Sequence, residues 1–222
     1  MQRPCKNGAI CENIGGSYTC SCPIGFKGDT CSEIEHFEDP TAAYFNGNGF
    51  VGFDKKYLPH TSISTEVIQF TISTKTEDGL IFFHGQKPNE NGQGKDYLAA
   101  GLVNGLIEFS YDLGSGPASI KSTKRISDGN KHMIVFKRKG SEGSLKVDDE
   151  EEIIGFSLGN LQQLNVEGDI YVGGIPHYSL MTGNRFKHGL VGCISDVQIG
   201  DSSVVSIVNN AKFSTHVLSC DH

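Results

Sequence analysis

The placement of the cysteines limits how this chain can fold more than any other feature. Five of the seven cysteines lie within the first 31 residues, and the other two, Cys193 and Cys220, lie near the end. A stretch of about 30 residues cannot bury enough apolar surface to fold alone, so this density indicates a disulfide or metal staple. The gaps of 5, 8, 1 and 8 residues between these cysteines differ from the paired Cys-x2-Cys or Cys-x4-Cys motifs of structural zinc sites. We therefore favour disulfides, which require an oxidising compartment and predict a secreted protein or an ectodomain.

The spacing of these five cysteines carries a specific resemblance. The pattern Cys5-x5-Cys11-x8-Cys20-x-Cys22-x8-Cys31 resembles an EGF-like module from its second cysteine onward. The resemblance implies the disulfides Cys5–Cys20 and Cys22–Cys31, and it pairs Cys11 with a first cysteine that this sequence lacks. We therefore expect the chain to begin inside the module and Cys11 to keep its thiol.

The composition changes after this module. Residues 32–40 are acidic and end in Asp39-Pro40, a pair that is typical of a turn or linker. The sequence thus predicts an EGF-like module at 1–31, a linker at 32–40 and a larger domain at 41–222.

The larger domain has the periodicity of β-strands. Residues 65–73 alternate apolar and polar side chains, as a half-buried strand requires. Turn signals of the Asp-Gly, Asn-Gly or Glu-Gly type separate further short β-branched or aromatic runs, and no sustained helical stripe is present. These runs are 79–83, 97–103, 106–111, 132–137, 144–147, 170–172 and 190–199. Many short strands joined by hairpins predict an all-β, antiparallel sandwich.

Several of these stretches resemble the laminin G-like domain, in particular that of the perlecan and agrin type. The resemblance covers roughly residues 37 to 220 and rests on short motifs: Asp78-Gly79-Leu80-Ile81-Phe82, Gly143-Ser144-Leu145, Ile170-Tyr171-Val172-Gly173-Gly174 and Gly189-Leu190-Val191-Gly192-Cys193. It implies a jelly-roll-like sandwich with a terminal disulfide between Cys193 and Cys220. Lys131 stands where the family usually has Trp.

The same resemblance implies a Ca²⁺ site at one edge of the sandwich. The side chains of Asp96 and Asn165 and the backbone carbonyls of Leu113 and Gln163 take the positions that hold the ion in the family. Ca²⁺ takes about six to eight oxygen ligands, so four protein oxygens leave room for water or for a ligand carboxylate. Asn165 adds no charge, which should weaken Ca²⁺ binding and favour anionic ligands. The alternative is that Asp96 and Asn165 are ordinary loop and turn residues.

In this family such a site can bind acidic glycan repeats of glucuronate and xylose on dystroglycan. Nearby basic residues usually help, and Lys95, Arg185 and Lys187 are the candidates here. Arg185 and Lys187 belong to the loop before Gly189, which lies at the same end of the sandwich in the family. The competing interpretation is that all three are solvated loop cations.

Other classes of function have weaker support. The formal net charge of -7 would repel a nucleic-acid backbone, and no apolar run of about 18 residues is present to span a membrane. The stretch 47–52 spells G-x-G-x-x-G, but no helix is predicted after it, so a β-turn entering a strand is favoured over a dinucleotide site. The seven basic residues between 121 and 139 could suggest heparin, yet the acidic run 148–152 could face and neutralise them.

The sequence therefore leaves three candidate functions. The first is an extracellular matrix or cell-surface module that binds an acidic glycan with Ca²⁺ as cofactor. The second is a calcium-independent protein-interaction or structural matrix module. The third, an enzyme, is disfavoured because the sequence has no nucleophile elbow, metalloprotease helix or P-loop.

Overall fold

The computed structural model of the chain describes residues 4–58, 65–85, 96–182, 185–200 and 203–220. The N-terminal part forms two small antiparallel hairpins. Strand β1 (Ile10–Ile14) pairs with β2 (Ser17–Ser21), and β3 (Phe26–Lys27) pairs with β4 (Glu33–Ile34). Strand β4 lies inside the segment that the sequence predicted to be a linker, so this segment continues the module's hydrogen bonding.

The rest of the chain forms one antiparallel sheet of 12 strands that folds over on itself. Its strand order is β10-β9-β8-β7-β14-β5-β15-β6-β11-β12-β13, with β16 paired to β5. The strands are β5 (Ala43–Phe53), β6 (Thr65–Thr74), β7 (Gly79–Gly85), β8 (Tyr97–Val103), β9 (Leu106–Asp112), β10 (Ala118–Arg125), β11 (Lys131–Lys139), β12 (Glu142–Val147), β13 (Ile153–Phe156), β14 (Ile170–Val172), β15 (Val191–Ile199) and β16 (Phe213–Leu218). The predicted antiparallel β-sandwich is confirmed.

The alternating pattern of the strands builds the core. Along β11, Ile134 and Phe136 are buried while Lys137 and Lys139 on the opposite face are exposed. The ring of Phe136 lies 4.7 Å from that of Phe109 and 5.3 Å from that of Phe82, centroid to centroid. Because Phe82 and Phe109 belong to the other half of the folded sheet, these rings join the two layers.

The two end strands of the sheet, β10 and β13, approach each other at the edge of the sandwich. A Cβ added to Gly155 on β13 would lie 2.7 Å from Cγ1 of Ile120 on β10. Glycine is therefore needed at this position for the two layers to close.

The N-terminal module packs against β16. The backbone N–H of His216 donates to the carbonyl of Cys22 at 3.0 Å, and that of Ile24 donates to Oγ of Ser214 at 2.9 Å. The buried carboxylate of Glu35 accepts from the N–H of Ser219 at 2.8 Å and forms an ion pair with Lys27 at 2.7 Å. Strand β16 therefore contacts the module as well as β5.

Two of the disulfides that the resemblances imply are present, Cys22–Cys31 and Cys193–Cys220, and the sulfur of Cys5 contacts that of Cys20. The sulfur of Cys11 also contacts the sulfur of Cys5. One sulfur atom forms one disulfide, so Cys5 bonds either Cys20 or Cys11. The expectation that Cys11 keeps the thiol stays a prediction.

Helix contributes little to the described residues. The one α-helix among them, α1 (Tyr178–Thr182), covers five residues. No helix in the described part of the chain is long and apolar enough to cross a membrane.

Candidate calcium site

Two adjacent strands bring the first site residues to one edge of the sheet. Asp96 directly precedes β8, and Leu113 directly follows β9. The two strands are antiparallel partners, and Tyr97 pairs with Asp112. The start of β8 and the end of β9 therefore meet, and Asp96 and Leu113 lie side by side beyond the last ladder pair.

The irregular segment between β13 and β14 places Asn165 beside Asp96. The backbone N–H of Asn165 donates to Oδ2 of Asp96 at 2.8 Å, and the Asn165 side-chain nitrogen lies 3.5 Å from the same oxygen. Gln163 lies on this segment, two residues before Asn165. The structure thus places Asp96 and Asn165 in direct contact, although 69 residues separate them in sequence.

A tight turn after β9 shapes the site, and its organising residue was missed in the sequence. Oδ1 of Asp112 accepts the backbone N–H groups of Gly114 at 2.7 Å and Gly116 at 3.1 Å. Gly114 has a φ of +100°, and a Cβ there would lie 3.4 Å from Oδ1 of Asp96. The positive φ of Gly114 favours glycine here, while a Cβ would meet Asp96 only at about ordinary contact distance. The sequence signal was available, because Asp followed two residues later by Gly is typical of an Asx-type turn.

The donor set fits a hard cation. It consists of a carboxylate, an amide and two backbone carbonyls, and oxygen ligands of this kind are those that Ca²⁺ prefers. Among the described residues, none donates a hydrogen bond to Oδ1 of Asp96, so this oxygen remains available for a cation. A half-turn of the Asn165 amide would present its oxygen in place of its nitrogen. Within the described ranges, no cluster of three or more acidic, His or Cys side chains includes Asp96.

The basic loop before Gly189 does not reach this site. Arg185 forms an ion pair with Glu108 on β9, a buried side chain that also accepts from Oγ of Ser119 at 2.8 Å. Glu108 precedes Asp112 by four residues, which is about 13 Å along a strand. The backbone beside Lys187 bonds to β7 at Leu80, which pairs with Gly101 near the far end of β8.

The structure therefore separates Arg185 and Lys187 from Asp96, and the expectation that their loop lies at the same end of the sandwich as the ion site is not met. The physical reason is that Phe186 packs onto the outer face of the sheet, buried beside Gly101. The third candidate cation, Lys95, lies outside the described residues.

The basic stretch that could suggest heparin is largely neutralised by acidic partners. Ion pairs join Lys121 to Glu108 at 3.4 Å, Lys124 to Asp148 at 2.8 Å, Arg125 to Glu77, Lys137 to Glu152 at 3.3 Å, and Arg138 to Glu66. Two of these acids belong to the acidic run 148–152, which therefore faces the basic stretch. The structure gives no support to a heparin surface on these strands.

A second ionisable cluster lies at the start of β11. His132 is buried, and its two ring nitrogens lie 2.8 Å from Oδ2 of Asp148 and 3.0 Å from Oδ1 of Asp128. Burial opposes the charged imidazolium, but the hydrogen bonds to Asp148 and Asp128 outweigh it and raise the pKa of His132 above its ordinary value. Burial likewise opposes ionised Asp148, whose pKa nevertheless falls to about 2 because Lys124 and His132 donate to it.

The fold defines a class of protein, and comparison with known families agrees. The family model of the laminin G domain matches residues 72–205, and that of the EGF-like domain matches residues 2–30. The chain belongs to the laminin G domain family and carries an EGF-like domain before the sandwich.

Particular relatives match almost the whole chain. The chain is 38% identical over 205 residues to the basement membrane proteoglycan of Caenorhabditis elegans, covering 92% of this chain and 6% of the relative. It is 34% identical over 220 residues to pikachurin of Rattus norvegicus, covering 98% of this chain and 21% of the relative. The chain therefore spans a small part of the length of either protein.

A solved structure shows the same fold. Domains LG4-5 of the mouse laminin alpha1 chain superpose with a TM-score of 0.69 at 20% sequence identity, covering 93% of this chain and 51% of that one. At this identity the likeness concerns the fold alone.

Proposed function

We propose that this chain is an extracellular adhesion module that binds acidic glycans through a Ca²⁺ ion. The observation that carries the proposal is the contact between Asp96 and Asn165, which the fold brings together next to the glycine turn that carries Leu113. The Asp96 carboxylate, the Asn165 amide and the backbone carbonyls of Leu113 and Gln163 belong to segments that meet at this edge of the sheet. Together they supply the ligand types that Ca²⁺ requires.

The chemistry of the site favours an anionic ligand. A bound Ca²⁺ would supply two positive charges, of which Asp96 neutralises one, so the site would keep a charge of about +1. Four protein oxygens leave coordination positions that a glucuronate carboxylate can fill. Dystroglycan-type repeats of glucuronate and xylose carry this group. Because Arg185 and Lys187 lie elsewhere, recognition of the carboxylate would depend mainly on the ion and on Asp96, Asn165, Leu113 and Gln163.

The place of action follows from the same proposal. The disulfides require an oxidising compartment, and one relative is named as a basement membrane proteoglycan. We therefore place the chain outside the cell, in the extracellular matrix or at the cell surface.

A second function has its own support. Four large apolar side chains on and after β13 are exposed: Ile154, Phe156, Leu158 and Leu161. Exposed apolar clusters of this kind occur at protein–protein interfaces. They favour a calcium-independent module that contacts other matrix proteins.

Glycan-array binding measured in Ca²⁺ and again in EDTA separates the two functions. We expect binding to glucuronate–xylose repeats that EDTA abolishes, and weak Ca²⁺ affinity, with a dissociation constant of roughly 10⁻⁴ to 10⁻³ M by calorimetry. Asp96→Ala should abolish both signals, since it removes the only full charge among the four ligands. Asn165→Asp should tighten Ca²⁺ binding, because a second carboxylate adds Coulomb attraction.

The matched control is Asp149→Ala, which removes an exposed carboxylate from the β12–β13 turn, at the other end of β13 from the segment that carries Gln163 and Asn165. It should leave calcium and glycan binding unchanged. Parental Ca²⁺ affinity in Asp96→Ala would show that the site is wrongly placed. Glycan binding that survives EDTA would favour the calcium-independent function.

A further inference from the structure

The segment that carries Gln163 and Asn165 has little backbone support. Among the described residues, no backbone–backbone hydrogen bond involves residues 158–168, and the last one before them joins Ser157 to Ser141. The position of this segment therefore depends on side chains. Leu164 packs against the core, Val166 is buried, and Asn165 bonds to Asp96.

A buried arginine from the neighbouring hairpin holds the same segment. Arg138, at the end of β11, is 1% exposed. Its Nη1 donates to the carbonyl of Gln162 at 3.0 Å and to the carbonyl of Gly140 at 2.7 Å, and its Nη2 donates to Oε1 of Glu66 at 2.6 Å. The planar guanidinium thus links β6, the β11–β12 turn and the segment before β14.

The hydrogen bond from Arg138 to the carbonyl of Gln162 restrains the peptide group next to Gln163, a proposed calcium ligand. The carbonyl of Gln162 and the N–H of Gln163 belong to one planar peptide unit. Once Arg138 fixes that plane, only the φ and ψ angles of Gln163 remain to set the direction of the Gln163 carbonyl. On the other side of Gln163, Leu164 packs against the core, and the next hydrogen bond from outside the segment among the described residues is that of Asn165 to Asp96.

We propose that Arg138 is a positioning residue of the calcium site, which holds the Gln163 carbonyl and Asn165 toward Asp96. This inference rests on the proposed function, because it concerns the same site. Arg138 touches neither the ion nor the glycan. It acts by keeping an otherwise unsupported segment in the conformation that binds, as outer hydrogen-bond partners of metal ligands commonly do.

If Arg138 only stabilised the fold, its replacement would be expected to affect Ca²⁺ binding differently. Replacing a buried ion pair by apolar side chains is often neutral for stability, whereas removing one partner alone is destabilising. The double variant Arg138→Met with Glu66→Met should therefore recover much of the melting temperature that Arg138→Met alone loses. If the arginine served stability alone, calcium affinity would recover with it.

The test compares three variants of the whole chain by calorimetric Ca²⁺ titration, thermal melting and ¹⁵N relaxation of residues 158–168. We expect Ca²⁺ affinity to fall about tenfold or more in both Arg138→Met and the double variant, with greater mobility of the segment in each. The control, Glu66→Gln, keeps the bonds from Arg138 to the two carbonyls. It should lower the melting temperature but leave Ca²⁺ affinity within about twofold of the parent.

The outcomes separate the inference from the function on which it rests. Parental Ca²⁺ affinity in a folded double variant overturns the positioning role and leaves the calcium site intact. If the parent itself binds no Ca²⁺, both fail. Lowered affinity and a mobile segment in the double variant, together with a recovered melting temperature, support the proposal.

Discussion

The EGF-like module and the sandwich meet along β16, but different interactions stabilise them. In the module, the buried apolar residues are the half-cystines Cys20, Cys22 and Cys31, with Phe26 packed against them. In the sandwich, a continuous cluster of aliphatic and aromatic side chains from both layers is buried. The comparison teaches that covalent links replace a core where the chain is too short to form one.

The strongest test of this difference is removal of a core side chain from the sandwich. Phe136→Ala deletes a ring that contacts Phe82 and Phe109 from the opposite layer, so we expect the free energy of unfolding to fall by about 3–5 kcal/mol. Chemical denaturation followed by circular dichroism measures it. Phe156→Ala is the matched control, because this ring is 62% exposed and its loss should cost less than about 0.5 kcal/mol. Similar losses in both variants would refute the assigned core.

A smaller loss is expected when a disulfide is removed from the module. The Cys22–Cys31 bond closes a short loop, and in the chain-entropy model its loss costs about 2–3 kcal/mol. We expect the double variant Cys22→Ala, Cys31→Ala to unfold the module while the sandwich stays folded, as seen by NMR dispersion of each region. Removal of Cys193 and Cys220 should instead lower the melting temperature of a sandwich that still folds. A module that keeps its native spectrum without Cys22 and Cys31 would contradict the comparison.

The smallest expected effect is a change with pH in the stability that His132 contributes to the sandwich. The raised pKa of His132 means that its bonds to Asp128 and Asp148, next to Lys124, stabilise the fold most when the ring is protonated. This stabilisation is fully present below the unfolded pKa of about 6.5 and is lost as pH rises through the folded value. The melting-temperature advantage of the parent over His132→Gln should therefore shrink between about pH 6 and pH 9. Parent and His132→Gln are melted side by side at each pH, and an advantage of the parent that stays constant with pH would contradict the charged pair.

Local patterns predicted much of the architecture. The alternation at 65–73 corresponds to β6, and Asn104-Gly105 lies in the turn of the β8–β9 hairpin. Asp78-Gly79 and Asp128-Gly129 instead link strands that are not hydrogen-bonded partners. Local patterns did not reveal β4, which sits in a stretch that resembles a linker because only two of its residues pair. Periodicity cannot show so short a strand, since its hydrogen bonds depend on a partner elsewhere.

The candidate site residues came from a different source than the strands did. Asp96 and Asn165 came from the family resemblance, and the structure brings them into contact. The roles of Asp112 and Arg138 were not foreseen. Arg138 lies within a run of basic residues that looks solvated in sequence, yet it is buried because Glu66, 72 residues away, pairs with it.

By itself, the sequence determined the class of fold and the oxidising environment, because strand periodicity, turn residues and cysteine spacing are local properties. Only the tertiary structure decided which charged side chains form ion pairs with one another and which remain available to a ligand. Arg185 is a candidate glycan contact by sequence, but in the structure it forms an ion pair with Glu108 on β9. An isolated stretch of sequence cannot show such pairing, because the partners of buried charges are chosen by strand order and register across the whole sheet.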